Sequence, residues 1–475
     1  MDAIQDFNTL GSIRTTKYGE TFEGFKKGED DEEPLSPMAQ LLHEPGSNMY
    51  IICFIGLKTK IRPDVIKENL VNAVVKNRRF SSLQVRDKAN GSMKWIPTHV
   101  NIDDHVIIAE LDPNIKSPDK FVENYILNLS RSGIESTKPL WDFHLIDVKT
   151  SEAEGTCIFR CHHSIGDGMS LTNLLMSCTR KVSDPDSVPT IPGMDRLGAA
   201  KVANLWSRLG VFWNTFVALL MFALTGLFLE DTKSPIKGSK GVEGRPRRFV
   251  TRSVSLEDIK FVKRAMNVTF TDVVLGVTQA AMYRYIRERY NDKNMDSPHN
   301  MRIRATIPFN LRTTMKIDDF THKDNGTWGN KIGYLLLPFD IRFKKDPLDY
   351  VRHANSTMKR KKASLEPLFT YYFTKLVLML FGTKVTGELT HKVVHKTTLI
   401  FSNIPGPQDE ITLFGHKVAY LAPSCYGQPY ALMINVVSYM DKVMFVMSVD
   451  EETIPDPQKL CDAFEESLRN IKASA

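Results

Sequence analysis

The amino-acid sequence predicts an α/β protein with two domains, each a mixed sheet packed against helices. A chain of 475 residues is too long for one compact core, so two domains are the natural expectation. Segments with helical and with strand-like hydrophobic spacing alternate in both halves, which favours two separate layered cores. Between the halves, residues 181–199 have the Asp, Ser, Pro and Gly content of a linker.

The first half begins with a charged and polar leader, residues 1–33, which we expect to be flexible. An N-terminal domain is predicted over residues 34–185, because apolar runs typical of strands and segments with helical spacing begin there. In order, the predicted elements are a strand at 49–57, a helix at 63–79, strands at 141–148 and 156–162, and a helix after Gly168.

Residues 186–248 are predicted to connect the domains, and residues 249–475 to form the C-terminal domain. Ser255 and Thr271 are suitable N-caps for two helices of this domain, because their hydroxyls can accept from free backbone N–H groups. The predicted helices are 256–266 and 272–289, and strand candidates follow at 302–308, 332–339, 397–402, 417–421, 432–439 and 443–449.

The most informative motif is HHSIGDG, His162 to Gly168, where a predicted strand ends and a predicted helix begins. A histidine with an ordinary pKa can take a proton from a hydroxyl group at neutral pH. Gly166 and Gly168 allow a sharp turn and the close approach of a substrate. Two core histidines beside a turn would be a simpler interpretation, but the convergence of these groups at one junction favours catalysis.

The motif matches the HHxxxDG signature of the CoA-dependent acyltransferase superfamily, which includes chloramphenicol acetyltransferase and the condensation domains of peptide synthetases. From Pro34 onward the chain more closely resembles the wax ester synthase/diacylglycerol acyltransferase family, and its plant members in overall layout. The other blocks that carry this resemblance occur in the expected order: Pro34-Leu35-Ser36-Pro37, Pro139-Leu140-Trp141, Pro308-Phe309-Asn310-Leu311-Arg312, Gly329-Asn330 and Ser402-Asn403-Ile404-Pro405-Gly406-Pro407.

The resemblance implies two domains of chloramphenicol-acetyltransferase type, with the active site in a tunnel between them. It also implies direct transfer: His163 deprotonates an alcohol, the alkoxide attacks the thioester of acyl-CoA, and CoA leaves. Neither a metal nor a cofactor is implied, since acyl-CoA is a substrate. The implied acceptor is a long-chain alcohol, which gives a wax ester, or diacylglycerol, which gives triacylglycerol. His162, Asp167 and Gly168 are expected to support the loop.

Polar residues of the second domain are expected to reach the cleft, because their blocks mix polar side chains with Pro and Gly turns that suit substrate-positioning loops. These candidates are Asn310, Arg312, Asn330 and Asn403. Thr271-Asp272 stands where many members of the family carry Asn-Asp at the start of a helix. Thr271 is a further tunnel candidate, since its hydroxyl can still cap that helix and donate a hydrogen bond.

Asp167 follows His163 by four residues, and Gly166 lies between them. The intervening backbone leaves the Asp167 carboxylate free to turn away from the imidazole. We therefore expect Asp167 to pair with a nearby cation or with backbone N–H groups rather than to form a relay to His163.

Other interpretations of the same residues remain open. His162 to Asp167 also fits the HxxxxD pattern of glycerolipid acyltransferases with a different fold. A lipid-binding pseudoenzyme anchored to a membrane is a non-catalytic alternative. The basic run Lys359 to Lys362 either meets the phosphates of CoA or is a solvated helix face. The sequence has no GxSxG motif, which argues against a serine hydrolase, and its net charge of +7 is too small to indicate a nucleic-acid partner.

The run from Leu209 to Leu229 carries no charge and, as a helix, is about 31 Å long, which matches the hydrocarbon core of a bilayer. A single crossing would separate His163 from the second-domain residues, and the only later apolar run, Leu376–Phe381, is too short to return the chain. We therefore expect the segment to enter or lie in the membrane interface and return on the cytosolic side. The basic residues of 237–248 would then contact anionic lipid headgroups.

The N-terminus has no apolar signal sequence, and the six cysteines form no CxxC pair. These features favour a reducing, cytosol-facing protein with free thiols. We expect membrane lipid to be a partner, and the endoplasmic reticulum membrane to be the location, with the catalytic domains facing the cytosol. The plasma membrane is the alternative location.

Overall fold

The computed structural model describes residues 32–87, 91–112, 114–191, 205–292, 301–312 and 328–475. Most of the expected leader and residues 192–204 of the expected connection between the domains lie outside the described residues. The strands, in chain order, are β1 (Glu33–Pro34), β2 (Tyr50–Leu57), β3 (Ser82–Arg86), β4 (Met93–Pro97), β5 (Val106–Ile108), β6 (Trp141–Ile146), β7 (Gly155–His162), β8 (Thr179–Lys181), β9 (Arg248–Ser255), β10 (Ile303–Asn310), β11 (Ile332–Phe339), β12 (Leu399–Ile404), β13 (Ile411–Leu413), β14 (His416–Tyr426), β15 (Leu432–Tyr439) and β16 (Lys442–Val449).

The helices, in chain order, are α1 (Pro37–Leu41), α2 (Pro63–Leu70), α3 (Pro118–Leu129), α4 (Gly168–Ser177), α5 (Leu205–Leu227), α6 (Leu256–Met266), α7 (Phe270–Asp292), α8 (Leu348–Lys362), α9 (Glu366–His395) and α10 (Pro457–Ser474). α6, β11 and β15 have the bounds that hydrophobic spacing predicts. The helix predicted at 63–79 is confirmed as far as residue 75, but it is not a single α-helix: α2 ends at Leu70 and a π-helical turn, Val71–Val75, follows directly.

The first domain is built on a seven-stranded sheet with the order β5-β6-β7-β2-β14-β13-β8. Its central strand β2 is antiparallel to β7 on one side and to β14 on the other. Successive residues of a strand point to opposite faces. Ile51, Cys53 and Ile55 therefore pack in one cluster with side chains of α2 and α4, whereas Ile52 and Phe54 pack in another with side chains of α3.

The second domain is built on a six-stranded sheet with the order β11-β10-β12-β15-β16-β9. α6, α7, α8 and α10 contribute to its hydrophobic core. β10, β12 and β15 are parallel neighbours, so their carboxyl ends meet at one edge of the sheet. Asn310 ends β10 and Asn403 lies next to the end of β12, which places both at the edge where ligands of such sheets bind.

The predicted division of the chain at residue 248 is only partly correct. β13 and β14, which lie within the predicted C-terminal domain 249–475, complete the sheet of the N-terminal domain. β14 pairs along the whole of β2, from Val418 opposite Leu57 to Tyr426 opposite Tyr50. The physical reason is that the second edge of a strand buried on both faces needs backbone partners, and no described strand before residue 249 supplies them.

Candidate active site

His163 lies directly after β7, at the junction of the two domains. Its backbone N–H donates to the carbonyl O of Met49 at 2.9 Å, which extends the pairing of β7 with β2 by one residue. The pairing fixes the backbone and leaves the imidazole in the wall of a cavity that both domains line. A side chain at the end of a paired strand is held more rigidly than one on a free loop.

Asn330, from the loop before β11, bonds to His163 through both polar atoms of its amide. Nδ2 donates to the carbonyl O of His163 at 3.0 Å, and Oδ1 lies 3.2 Å from Nδ1 of the imidazole. Because Nδ2 donates to a carbonyl, Oδ1 is the acceptor, and Nδ1 therefore carries the ring proton. Nε2 keeps its lone pair, which can accept a proton from a hydroxyl group.

The protonation state of His163 is set mainly by its burial. Burial lowers the pKa of His163 below its ordinary value, while the Asp167 carboxylate and the hydrogen bond with Asn330 partly oppose the shift. A lowered pKa keeps the imidazole neutral at physiological pH. The neutral form is the one that a general base requires.

Asp167 forms an ion pair that joins the two domains. Its Oδ2 accepts from Nη1 of Arg312 at 2.6 Å, and both side chains are buried. The same oxygen accepts from the backbone N–H of Lys331 at 3.1 Å, and Oδ1 accepts from the N–H of Ser170 at 2.9 Å. This geometry agrees with the expectation that Asp167 binds a cation and backbone N–H groups, and it makes Asp167 the N-cap of α4.

The two glycines of the motif, Gly166 and Gly168, do not adopt the left-handed backbone conformation. The chain does turn between β7 and α4, where the N–H of Ile165 donates to the carbonyl O of His162 at 3.1 Å, but neither Gly166 nor Gly168 has a positive φ, so the turn does not depend on glycine backbone freedom. A Cβ on Gly166 would lie 3.3 Å from the indole of Trp328, so close packing explains that glycine. A Cβ on Gly168 would meet no atom within 4 Å, and Gly168 lines the cavity. The expected close approach of a substrate therefore fits Gly168.

His162 points away from the cavity into a buried network of polar side chains. Its Nε2 bonds to Oδ1 of Asn48 at 2.9 Å, and its Nδ1 bonds to Oγ of Ser164 at 2.6 Å. Ser164 in turn donates to Oε1 of Gln84 at 2.7 Å. The network holds the loop behind His163. Asn48 and Gln84 escaped the sequence analysis because neither belongs to a motif and both are distant along the chain.

α7 begins earlier than expected, and Thr271 does not cap it. The hydroxyl of Thr269 and the carboxylate of Asp272 cap the helix reciprocally: the N–H of Thr269 donates to Asp272 Oδ2 at 2.9 Å, and the N–H of Asp272 donates to Thr269 Oγ1 at 3.3 Å. The predicted cap is wrong because Thr269 has the acidic partner three residues later. Thr271 Oγ1 instead accepts from Asn403 Nδ2 at 3.2 Å.

The cavity between the domains has a volume of about 250 Å³. Most of its wall is apolar, and His163, Asn310 and Asn403 are polar side chains in that wall. The three remaining second-domain candidates lie one contact away. Asn330 bonds His163, Arg312 Nη1 donates to Asn310 Oδ1 at 3.1 Å, and Thr271 accepts from Asn403. All five predicted residues of the second domain are thus brought to this site, and the arrangement fits an apolar substrate whose reacting hydroxyl or carbonyl lies beside His163.

Comparisons with known proteins identify the family. The model of the wax ester synthase/diacylglycerol acyltransferase catalytic domain matches residues 40–274, and that of the WS/DGAT C-terminal domain matches residues 328–472. The chain belongs to the wax ester synthase/diacylglycerol acyltransferase family. Wax ester synthase/diacylglycerol acyltransferase 11 of Arabidopsis thaliana is 43% identical over 465 residues, which cover 94% of this chain and 95% of that protein. Number 5 of the same plant is 41% identical over 479 residues, with 94% of each chain covered.

Solved structures of low sequence identity share the fold of this family member. The wax ester synthase/diacylglycerol acyltransferase from Marinobacter aquaeolei VT8 matches with a TM-score of 0.61 at 18% identity, over 93% of this chain and 99% of that one. The first condensation domain of the CDA synthetase matches with a TM-score of 0.53 at 14% identity, over 92% and 93% of the two chains. The predicted fold class is therefore confirmed, and the HxxxxD interpretation, which requires a different fold, is excluded.

Proposed function

We propose that the protein transfers a fatty acyl group from acyl-CoA to the hydroxyl group of a long-chain alcohol, of diacylglycerol, or of both. The observation that carries this proposal is the position of the ring proton of His163. Asn330 holds the ring proton on Nδ1, and the other ring nitrogen remains available beside an apolar cavity between the domains. The names of the relatives, which join wax ester synthase with diacylglycerol acyltransferase, support both acceptors.

The proposed reaction is a direct transfer. Nε2 of His163 takes the proton of the acceptor hydroxyl, and the oxygen attacks the thioester carbonyl carbon. The tetrahedral intermediate then collapses, the C–S bond breaks, and the imidazolium returns its proton to the sulfur of CoA. Protons and electrons balance with the two substrates and His163 alone. We therefore propose that no metal and no cofactor takes part.

An assay with radiolabelled acyl-CoA and both acceptors together, resolved by thin-layer chromatography, tests the proposal and identifies the preferred acceptor. We expect a labelled wax ester, a labelled triacylglycerol, or both. His163→Ala should lower the rate by at least ~100-fold, the usual scale for removal of a general base. His99→Ala, at an exposed histidine outside the site, is the matched control. No product from either acceptor would contradict the proposal and favour the pseudoenzyme. Near-normal turnover by folded His163→Ala would contradict the role of His163 as the general base.

We also propose that the protein binds the cytosolic surface of a membrane, that of the endoplasmic reticulum, through an apolar face on α5 and α9. Among the described residues, α5 contains one stretch, Arg208–Leu227, long and apolar enough to cross a bilayer. Large apolar side chains of α5 and of α9 before Gly382 are exposed side by side. They are Leu209, Phe212, Trp213, Phe216, Val217 and Leu220 on α5, and Leu368, Tyr372, Phe373, Leu376, Met379, Leu380 and Phe381 on α9.

Contacts along α5 support a helix that lies in the membrane interface. Thr215 Oγ1 accepts from the N–H of Leu365 at 3.0 Å, and Thr225 accepts from the guanidinium of Arg304. Thr215 and Thr225 are about 15 Å apart along α5, and residues of the C-terminal domain bond to both of them. A helix that crossed the bilayer would carry these polar contacts into the hydrocarbon core. Leu376–Phe381, which is too short to return the chain across a membrane, is part of the same exposed face.

Most of the basic groups of residues 237–248, which were expected to contact lipid headgroups, have other partners. Arg247 is fully buried, where its Nη2 donates to Val242 O at 2.7 Å. Arg245 and Arg248 form ion pairs with acidic residues after β16. The prediction is wrong for these three arginines and for Lys237, which pairs with Glu230, because their charges are already paired or buried. For Lys240, which is exposed, it stays a prediction. The exposed run at the end of α8, which includes Lys359, Arg360 and Lys362, lies next to the Thr215 contact and has the charge that anionic headgroups require.

Flotation with lipid vesicles tests the membrane proposal. Phe212→Glu combined with Phe381→Glu should abolish binding, whereas Phe343→Glu, at a phenylalanine that is 67% exposed elsewhere, should not. Replacement of Lys359, Arg360 and Lys362 by glutamine should reduce binding only to vesicles with anionic lipid.

Protease-accessible tags near residues 20 and 470 test the topology. Tags on opposite faces of a membrane, or equal binding by all variants, would contradict the proposal, and a tagged protein absent from the endoplasmic reticulum would contradict the location.

A further inference from the structure

The cavity at His163 continues into the N-terminal domain, between the sheet and α4. This inner arm is lined on the sheet side by Ile51, Cys53 and Ile55 of β2 and on the helix side by residues such as Leu171 and Leu174. No charged side chain of the described residues lines the cavity. An apolar, uncharged arm suits a hydrocarbon and not a nucleotide or a phosphate group.

β2 provides a measure of depth along this arm. His163 bonds to Met49, the residue just before β2, so the strand starts at the reacting group. Ile51 and Ile55 face the arm from the same side of the strand, and a rise of about 3.3 Å per residue puts them about 13 Å apart, a length of about ten methylene groups in an extended chain. α4 starts beside His163 at Gly168 and runs for 10 residues, which is about 15 Å.

At the end of the arm farthest from His163, buried side chains from four elements line the cavity. Ile55 of β2 is 1% exposed, Phe143 of β6 is 3% exposed, and Leu70 and Val74 are 2% and 4% exposed. Leu70 ends α2, and Val74 belongs to the π-helical turn that follows. Such turns often occur at functional sites. The end therefore has a fixed wall of branched and aromatic side chains.

We propose that this arm takes the linear aliphatic chain of one substrate and that Ile55, with Leu70, limits the length of that chain. The proposal rests on the proposed acyl transfer. The chain belongs to the acyl group of acyl-CoA or to the long-chain alcohol, since both have the same aliphatic chemistry. A chain that ends before Ile55 fits, and a longer chain must displace close-packed side chains.

Turnover measured with the purified full chain in two series tests the proposal. One series varies the length of saturated acyl-CoA with a fixed alcohol, and the other varies the alcohol with a fixed acyl-CoA. Ile55→Ala should raise the relative kcat/KM for chains longer than the wild-type optimum by about 10-fold, and Ile55→Phe should lower it for the longest accepted chains by a similar factor. The shift should occur in one series, and that series identifies the bound chain.

Ile52→Ala is the matched control, because Ile52 is a neighbouring buried isoleucine of the same strand that faces the other core cluster. It should leave both length profiles unchanged. If Ile55→Ala fails to fold, Ile55→Val gives the same comparison with a smaller change of volume, and Leu70→Ala makes a change of similar volume on another element of the wall. Folded, active variants with unchanged profiles in both series would overturn this proposal alone. A wild-type chain that makes no ester in either series would instead overturn the proposed function.

Discussion

His43 stacks on His162, with ring centroids 4.3 Å apart. Burial lowers the pKa of His43, and burial followed by repulsion from His43 and His163 lowers the pKa of His162 well below its ordinary value. Both rings are therefore neutral in the folded protein at pH 7. For His43, the hydrogen bond to Gln84 raises the pKa and partly opposes the effect of burial, while the cation of Arg86 lowers it further.

This pair predicts acid lability between about pH 6.5 and the lowered pKa values of the folded state. In that window the unfolded chain binds more protons than the folded one, so stability is full above about pH 6.5 and decreases as the pH falls. The thermal midpoint of wild type should fall over this window. His43→Gln should show a smaller decrease, and His99→Gln, at an exposed histidine, should match wild type. An identical slope in His43→Gln and wild type would refute the explanation.

Asn330→Asp is expected to shift the acid limb of the kcat profile to higher pH by about one unit, because a carboxylate at this position stabilises the protonated imidazole of His163. Activity requires the neutral ring, so a raised pKa removes activity at a pH where wild type still works. Asn330→Ala should lose at least ~10-fold in kcat, since the ring proton is no longer fixed on Nδ1. Asn128→Asp, on the exposed side of α3, is the control. An unshifted limb in Asn330→Asp would argue against contact between these residues in solution.

Asp167→Asn should destabilise the protein strongly, by about 3–5 kcal/mol, because it leaves Arg312 buried without its counter-charge. Differential scanning calorimetry should show the loss as a lower midpoint. Arg264→Gln removes an ion pair to Glu257 whose side chains are 62% and 64% exposed, and it should change stability by less than ~1 kcal/mol. Equal midpoints for Asp167→Asn and Arg264→Gln would show that the buried interdomain ion pair contributes no more to stability than an exposed one.

The sequence predicted most of the local structure, together with His163 and its partner Asn330, because hydrophobic spacing and motifs are local properties. It did not identify Asn48 and Gln84 of the network behind His163, which belong to no motif. It could not predict that β14 crosses into the first sheet, since pairing between distant strands leaves no periodic signal. It also misassigned the cap of α7: Thr269 precedes the helix and Thr271 lies in its first turn, and the position of Asp272 decides which of them is the cap. The sequence also could not predict that Arg247 is buried, because a run of basic residues does not show which of them enters the core.

Alkylating reagents are expected to leave the activity unchanged. Cys53, Cys178 and Cys425 line the cavity, and burial raises their pKa to about 12, 11 and 12. Very little thiolate exists at neutral pH, and thiolate is the reactive form. Iodoacetamide at pH 7.5 should not inactivate the folded protein, whereas all six cysteines should react once guanidinium unfolds it. If iodoacetamide inactivates the protein rapidly and acyl-CoA prevents the inactivation, the cavity thiols are more accessible and more reactive than their burial implies.

Two glycine substitutions should separate packing from substrate access. Gly168→Ala adds a Cβ that meets no protein atom within 4 Å, so its thermal midpoint should equal that of wild type while its KM rises. Gly406→Ala adds a Cβ only 2.0 Å from the carbonyl O of Ser438, so it should lower both stability and kcat. Calorimetry and steady-state kinetics on both variants check the pair. A stable Gly406→Ala, or an unstable Gly168→Ala, would contradict the packing described for the cavity loops.

The crossing of β14 into the first sheet has a consequence for how the protein is made. On the ribosome, β2 and β7 emerge early, but the strand that covers the other edge of β2 emerges only at residues 416–426. Until then β2 is an open edge with free backbone groups, a template for wrong pairing with other chains. The protein therefore depends on protection of its first half during synthesis, and a fragment that ends before β14 should aggregate instead of folding as an independent unit.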